Sequence, residues 1–494
     1  MLGGHGTLPR RDRRCSVPED LSRLDAVAQA GLVRRGAVSP RELVDAAIAR
    51  IEKVDPAIHA VIHERFDRAR AEAASTSLPD GPFRGVPILM KDLGGQSAGD
   101  PYHAGMRCLR DAHWTESADS DFTAKLRRSG FVILGRTNTP ELGLMPTTEP
   151  EAHGATRNPW NLAYSSGGSS GGASAAVAAG LVAVAHASDG GGSIRIPAAH
   201  CGLVGLKTTR GRCSFGPGLG ERWGGFSSEL VVSKTVRDTA AVLDVVQGPM
   251  PGDPYFASLP ARPYADEIGA EPGRLRIGLM LRGPRGLAVH EDCLAAAHAA
   301  ARALEGLGHA VEEAYPEALD EPKSVASFVV VVSCSVARAL EVWGEKLGRT
   351  LGAGDVEPLT WVLAEQGRAT PAQRYIEAIE FVHGFGRRVA GWWERGFDLL
   401  LTPTTAAPPP RIGELVGSKE QPLAAFLRSA PYGAFTSSFN LTGQPAISLP
   451  AHWNAAGLPL GAQLVAAYGR EDLLLRVASQ LEQALPWHDR HSPV

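Results

Sequence analysis

Two glycine-rich turns constrain this chain more than any other feature. The first reads Ser165-Ser166-Gly167-Gly168-Ser169-Ser170-Gly171-Gly172 and the second Ser188-Asp189-Gly190-Gly191-Gly192-Ser193-Ile194-Arg195, which sets Ser169 and Ser193 24 residues apart. Residues 165–216 hold 12 of the 56 glycines in 494 residues, a cluster without the triplet period of collagen. Glycine at such turns permits a positive φ and close backbone approach. Successive N–H groups with no side chain in the way can converge on an anion, a phosphate or an oxyanion.

Three chemistries compete for the pair. A phosphate loop needs Gly-x4-Gly-Lys-Ser/Thr, but the nearest Lys-Thr, Lys207-Thr208, follows Leu206. A nucleophile elbow is matched literally by Gly167-Gly168-Ser169-Ser170-Gly171. It requires a later acid and histidine, and His290, His298, His309, His383 and His452 sit in no motif-like context. It also leaves the second turn without a role. The third reading uses both turns, each of which presents a serine.

Lys and Arg number 50 against 53 Asp and Glu, a net charge of −3 that lacks the basic excess of a nucleic-acid binder. The one basic cluster, Arg10, Arg11, Arg13 and Arg14, falls in an expected loose N-terminal tail, residues 1–18. Six cysteines without short spacing favour neither a disulfide framework nor a zinc site. The apolar runs at 175–187 and 327–337 are shorter than the ~20 residues that span a bilayer. The reading is a cytoplasmic protein with free thiols, no cofactor, no metal, and no nucleic-acid or membrane partner.

Ser39-Pro40-Arg41-Glu42 opens a helix with a capping box and a first-position proline, and residues 21–35 form an earlier helix paired with it. Short strands are expected at 87–90, delivering Lys91, and at 131–134. An Ala-rich helix follows the first glycine turn to Val184, and His186 is read as a core histidine on that apolar helix. Further strands fall at 275–280, 397–401 and 461–466, with helices at 293–307 and 470–485. The fold class is α/β, with residues 19–494 as one domain and 310–430 as a variable cap or substrate-pocket region. Trp160, Trp392, Trp393 and Cys334 read as packing residues.

The whole pattern resembles the amidase signature family, whose fingerprint is a GGSSGG turn followed 24 residues later by a GGSIR turn. Lys91-Asp92-Leu93 matches its upstream lysine motif, and Thr137-Asn138-Thr139-Pro140-Glu141 and Thr442-Gly443-Gln444-Pro445-Ala446 match further pieces. The resemblance implies the family's fold, one large mixed β-sheet covered by helices on both faces. It implies Ser193 as nucleophile, Ser169 as a bridging serine after a cis peptide from Gly168, and Lys91 as base. Gly190, Gly191 and Gly192 would offer oxyanion donors, and Asp189 and Arg195 would hold the turn. Gly190 departs from the commoner pattern, which carries a side chain there; the change would loosen the turn or widen the pocket. Thr208 departs too, where proline is frequent.

Stretches at 148–152, 154–162, 314–319 and 465–475 are similar to bacterial 6-aminohexanoate-cyclic-dimer hydrolases. The implied substrate is a small amide, carbamate or ester, cleaved by a monomer or homodimer. The alternative is the amide-cleaving component of a tRNA-dependent amidotransferase complex, its A chain, which shares the triad. The pocket is expected to be shaped by residues 213–229 and 310–430.

Overall fold

The computed structural model describes residues 21–494. The expected tail at 1–18, with its arginine cluster, lies outside the described residues.

The strands are β1 (Val61–Glu64), β2 (Pro87–Lys91), β3 (Val132–Thr137), β4 (Arg157–Asn158), β5 (Asn161–Ser165), β6 (Val184–Asp189) and β7 (Val204–Lys207). They continue with β8 (Ser228–Ser233), β9 (Arg276–Leu279), β10 (Ala310–Glu313), β11 (Leu399–Pro403), β12 (Ala446–Trp453) and β13 (Pro459–Ala466). Eleven of them form one sheet in the order β1-β3-β2-β6-β8-β7-β12-β13-β11-β9-β10, while β4 and β5 make a separate ribbon. The sheet is mixed: β2 runs parallel to β3 and β6, β9 parallel to β10 and β11, and the central ladders are antiparallel.

Both faces are covered. Leu399 and Leu401 belong to one apolar core and Leu400 to another; Leu464 and Ala466 divide from Val465 in the same way, as does Ile447 from Ala446. Successive strand residues point to opposite faces, so around β11, β12 and β13 the two cores lie on opposite sides of the sheet, while at β2, β3 and β8 the first core takes in both faces. Helices Pro40–Ile58, Glu291–Gly306 and Glu471–Ala484 supply apolar residues to the first, and Ala372–Ala390 to the second.

Three local expectations need correcting. Residues 21–35 are not one helix: a 3₁₀ turn, Leu21–Arg23, precedes a helix Ala26–Arg34 that Asp25 caps by accepting the Ala28 N–H at 2.9 Å. The Ala-rich helix ends at Ala178 rather than Val184, with Gly180 in the left-handed region at φ 72°. His186 therefore lies on β6. A strand buried on both faces carries the same unbroken apolar run as a buried helix, so periodicity could not separate them.

Above the sheet stand the helices Lys323–Leu347, Pro358–Arg368 and Ala372–Ala390. Among the described residues, Lys323–Leu347 is the one helix long and apolar enough to cross a membrane, with mean hydropathy 1.9. Here Val332, Val336, Leu340 and Trp343 pack with Leu359 and Leu363 of the next helix and with Tyr102.

Candidate active site

Because β2 and β6 are parallel neighbours, with Ile88 opposite Val184 and Leu89 opposite Ala185, their carboxyl ends emerge at the same edge. That edge is where α/β sheets form crevices. Lys91 ends β2, and Ser188 and Asp189 end β6. The first glycine turn leads into the helix Gly171–Ala178, the second into Arg195–Cys201.

The turns meet there. Lys91 Nζ donates to Ser169 Oγ at 2.8 Å and to Ser188 Oγ at 3.0 Å. The Gly168–Ser169 peptide is cis. Ser170 joins the turns, its N–H donating to the Ser193 carbonyl at 3.2 Å and its hydroxyl to the Ser188 carbonyl at 3.2 Å. Ser193 is half-buried and lines the same cleft as Ser169 and Ser188. The elbow reading fails on geometry, because among the described residues no imidazole is hydrogen-bonded to Ser169. Ser188, quoted in the motif without a role, is the residue sequence reasoning passed over.

Burial pushes the Lys91 ammonium down to about 7, although Asp189 and Glu229 pull it back up, and Arg222 adds to the lowering. The Lys91 N–H donates to His186 Nδ1 at 3.3 Å, leaving His186 Nε2 to face Glu229 Oε2 at 3.8 Å. Arg136, also buried, donates to the Lys91 carbonyl at 2.8 Å and fixes the strand end.

Asp189 and Arg195 are both fully buried, paired through Nη2–Oδ1 and Nε–Oδ2 contacts of 3.0 Å each. Asp189 Oδ1 also accepts the Gly192 N–H at 2.7 Å and Asn440 Nδ2 at 2.9 Å, and Oδ2 accepts the Ile194 N–H at 3.1 Å. Burial would raise this carboxyl, but the Arg195 charge, with hydrogen bonds from Arg195 and Asn440, holds it far below the usual range. Arg195 is completed by Asn440 Oδ1 at 2.7 Å, Gln463 Oε1 at 2.8 Å and the Thr436 carbonyl at 3.0 Å.

This network corrects one expectation. The Gly192 N–H, expected among the oxyanion donors, is taken by Asp189. Among the described residues no protein group accepts the N–H of Gly190, Gly191 or Ser193. The Gly190 expectation changes as well. A Cβ built there would lie 2.8 Å from Trp223 Cε3, so the space is filled by the indole rather than left open.

The serines open into a cleft of about 900 Å³. Its walls come from the Phe215–Trp223 segment, from Leu93, Tyr102 and Leu142, and from Cys334, Val336 and Trp343 of the Lys323–Leu347 helix. Trp392 is buried against Phe397, their rings stacked at 4.2 Å, and Trp160 Nε1 donates to the Cys201 carbonyl at 2.8 Å.

The amidase family model matches residues 42–475 of this chain. The 6-aminohexanoate-cyclic-dimer hydrolase of Paenarthrobacter ureafaciens is 47% identical over 471 residues, covering 94% of this chain and 95% of its own. A structure of 6-aminohexanoate cyclic dimer hydrolase with substrate matches at TM-score 0.93 and 45% identity, covering 96% of this chain and 99% of that one. A bacterial aryl acylamidase of the amidase signature family follows at TM-score 0.84 and 29% identity, covering 94% and 98%. The corresponding A chain of the glutamyl-tRNA(Gln) amidotransferase from Thermotoga maritima is more distant, at TM-score 0.73 and 26% identity over 94% and 96% of the two chains. The chain belongs to the amidase signature family and is a hydrolase of amide carbon–nitrogen bonds.

Proposed function

We propose that this enzyme cleaves small synthetic-type amides, with nylon-type oligomers foremost and aryl amides and carbamates as further substrates, through an acyl-enzyme on Ser193. Neutral Lys91 takes the Ser169 proton while Ser169 takes that of Ser193. The freed Ser193 oxygen attacks the carbonyl carbon. The N–H groups of Gly190, Gly191 and Ser193 hold the oxyanion, and loss of one such donor typically costs about 2.7–4 kcal/mol. The proton returns to the leaving amine as the C–N bond breaks. Water, deprotonated along the same relay, then hydrolyses the ester and releases the acid. An ester substrate needs the same relay with an alcohol leaving group.

The observation that carries this reading is the 2.8 Å contact between a buried lysine and Ser169 on the cleft wall. A serine hydroxyl is a weak nucleophile without an adjacent base, and only an uncharged lysine can act as one. The mixture of indole and phenol rings with Glu116, Glu221, Arg222 and Arg338 in the cleft suits a substrate with an apolar body and polar ends. We place the enzyme in the cytoplasm, working as a monomer or homodimer without a dedicated partner chain. Linear amides, cyclic amide dimers, aryl amides and carbamates should be incubated with protein from a single gel-filtration peak, and products followed by mass spectrometry. Turnover of at least one class supports the proposal; turnover of none, or only in the presence of an added partner chain, overturns it.

A further inference from the structure

Three histidines far apart in sequence meet behind the strand end that carries Lys91. His63 lies on β1, His103 in the segment after β2, and His153 in the turn before β4. His63 Nε2 stands 3.0 Å from His103 Nδ1, which stands 3.3 Å from His153 Nε2. With the buried carboxylate of Asp92, their ligand atoms all lie within 4.8 Å of one another.

Hydrogen bonding alone satisfies this cluster poorly. A neutral imidazole has one N–H and one lone pair, so a single His103 nitrogen facing two imidazole nitrogens must share its lone pair or leave one contact unmade. Three lone pairs converging on a cation remove the conflict. Tetrahedral coordination at about 2.0–2.1 Å sets ligand nitrogens roughly 3.3–3.4 Å apart, close to the observed separations. The Asp92 carboxylate accepts the N–H groups of His103 at 2.9 Å and Gly105 at 3.3 Å, which fix it as a neighbouring acceptor beside the three rings.

We propose that His63, His103 and His153 form a binding site for one divalent transition-metal ion of the zinc class, with a fourth position open to water. The site pins β1, the His103 segment and the His153 turn to one another. It takes no part in amide cleavage, which the serines and Lys91 perform on their own.

Untagged full-length protein, stripped with a chelator and dialysed, should be titrated with Co(II). The expected result is the visible absorption of a tetrahedral imidazole site, saturating at one equivalent and displaced by Zn(II), with a rise in Tm on loading. His63→Ala and His153→Ala, at half-buried positions, should each weaken binding by at least about 100-fold, above the 10–100-fold that removal of an outer partner costs. Absence of the Co(II) band in the folded protein overturns the site, as does the affinity of the unsubstituted protein retained in both variants, and the cluster is then a hydrogen-bonded imidazole triad.

Discussion

A lysine accepts a proton from a serine only while uncharged, and at Lys91 burial supplies that condition against the pull of Asp189 and Glu229. Its lowered value of about 7 sets the sign of the pH dependence. Below that pH the base is protonated, so kcat/KM should rise about tenfold per pH unit and level off above about 7. A profile flat from about pH 5.5 to 9 on a substrate that does not itself titrate contradicts the assignment. Lys91→Ala should lower kcat by about 10²–10⁴-fold. Gly190 gives a second test at this scale. A methyl there meets Trp223 at 2.8 Å and Ser227 Oγ at 3.1 Å. Gly190→Ala should therefore cut kcat/KM about tenfold or more by displacing an oxyanion donor, and adding Trp223→Ala should restore most of it. Recovery absent in the double variant would falsify the steric account. The glycines also show how far sequence reading reached. Of the first turn only Gly167 has a positive φ, at 82°. Gly168, Gly171 and Gly172 are needed because a Cβ would lie 2.5, 2.3 and 2.4 Å from Thr147 O, Thr148 Oγ1 and Asn138 N. Motif spacing located these positions, but the partners that crowd them come from segments no local pattern connects. The same holds for Asn440, Gln463 and Thr436, whose contacts with Arg195 span more than 240 residues.

At the scale of elements, the strand carrying Lys91 and the start of the helix after the first glycine turn were legible, whereas the end of that helix and the helix Arg195–Cys201 after the second turn were not. The β6 strand was not, since an apolar run buried on both sides carries no period. The helices over the cleft were expected only as a variable cap or substrate-pocket region, and one glycine sets how closely two of them approach. A Cβ at Gly367, in Pro358–Arg368, would sit 2.1 Å from the Ser333 carbonyl oxygen and 2.9 Å from Ala337 Cβ on the neighbouring helix. Alanine gains about 1 kcal/mol over glycine in helix propensity, but overpacking of a rigid interface costs about 1–3 kcal/mol. The backbone contact wins, so Gly367→Ala should lower Tm by a few degrees. It should also raise KM, because that neighbouring helix lines the cleft through Val336 and Trp343. An unchanged or higher Tm, measured by calorimetry, contradicts this packing.

For the molecule as a whole, the mixed sheet with covered faces followed from the resemblance rather than from periodicity. The order of its eleven strands, β12 and β13 lying between β7 and β11, is a long-range property that no local signal specifies. The consequence for function is that distant segments converge on one edge: Lys91 from the β2 end, Ser169 and Ser193 from the two turns, and Asn440 and Gln463 from the last fifth of the chain. The central claim is that this convergence makes Ser193, and not Ser169, the acylated residue. Labelling the folded protein with a fluorophosphonate probe and locating the adduct by mass spectrometry tests it most directly. The account predicts one adduct per chain on Ser193, lost in Ser193→Ala. An adduct that persists in Ser193→Ala and disappears in Ser169→Ala would contradict it.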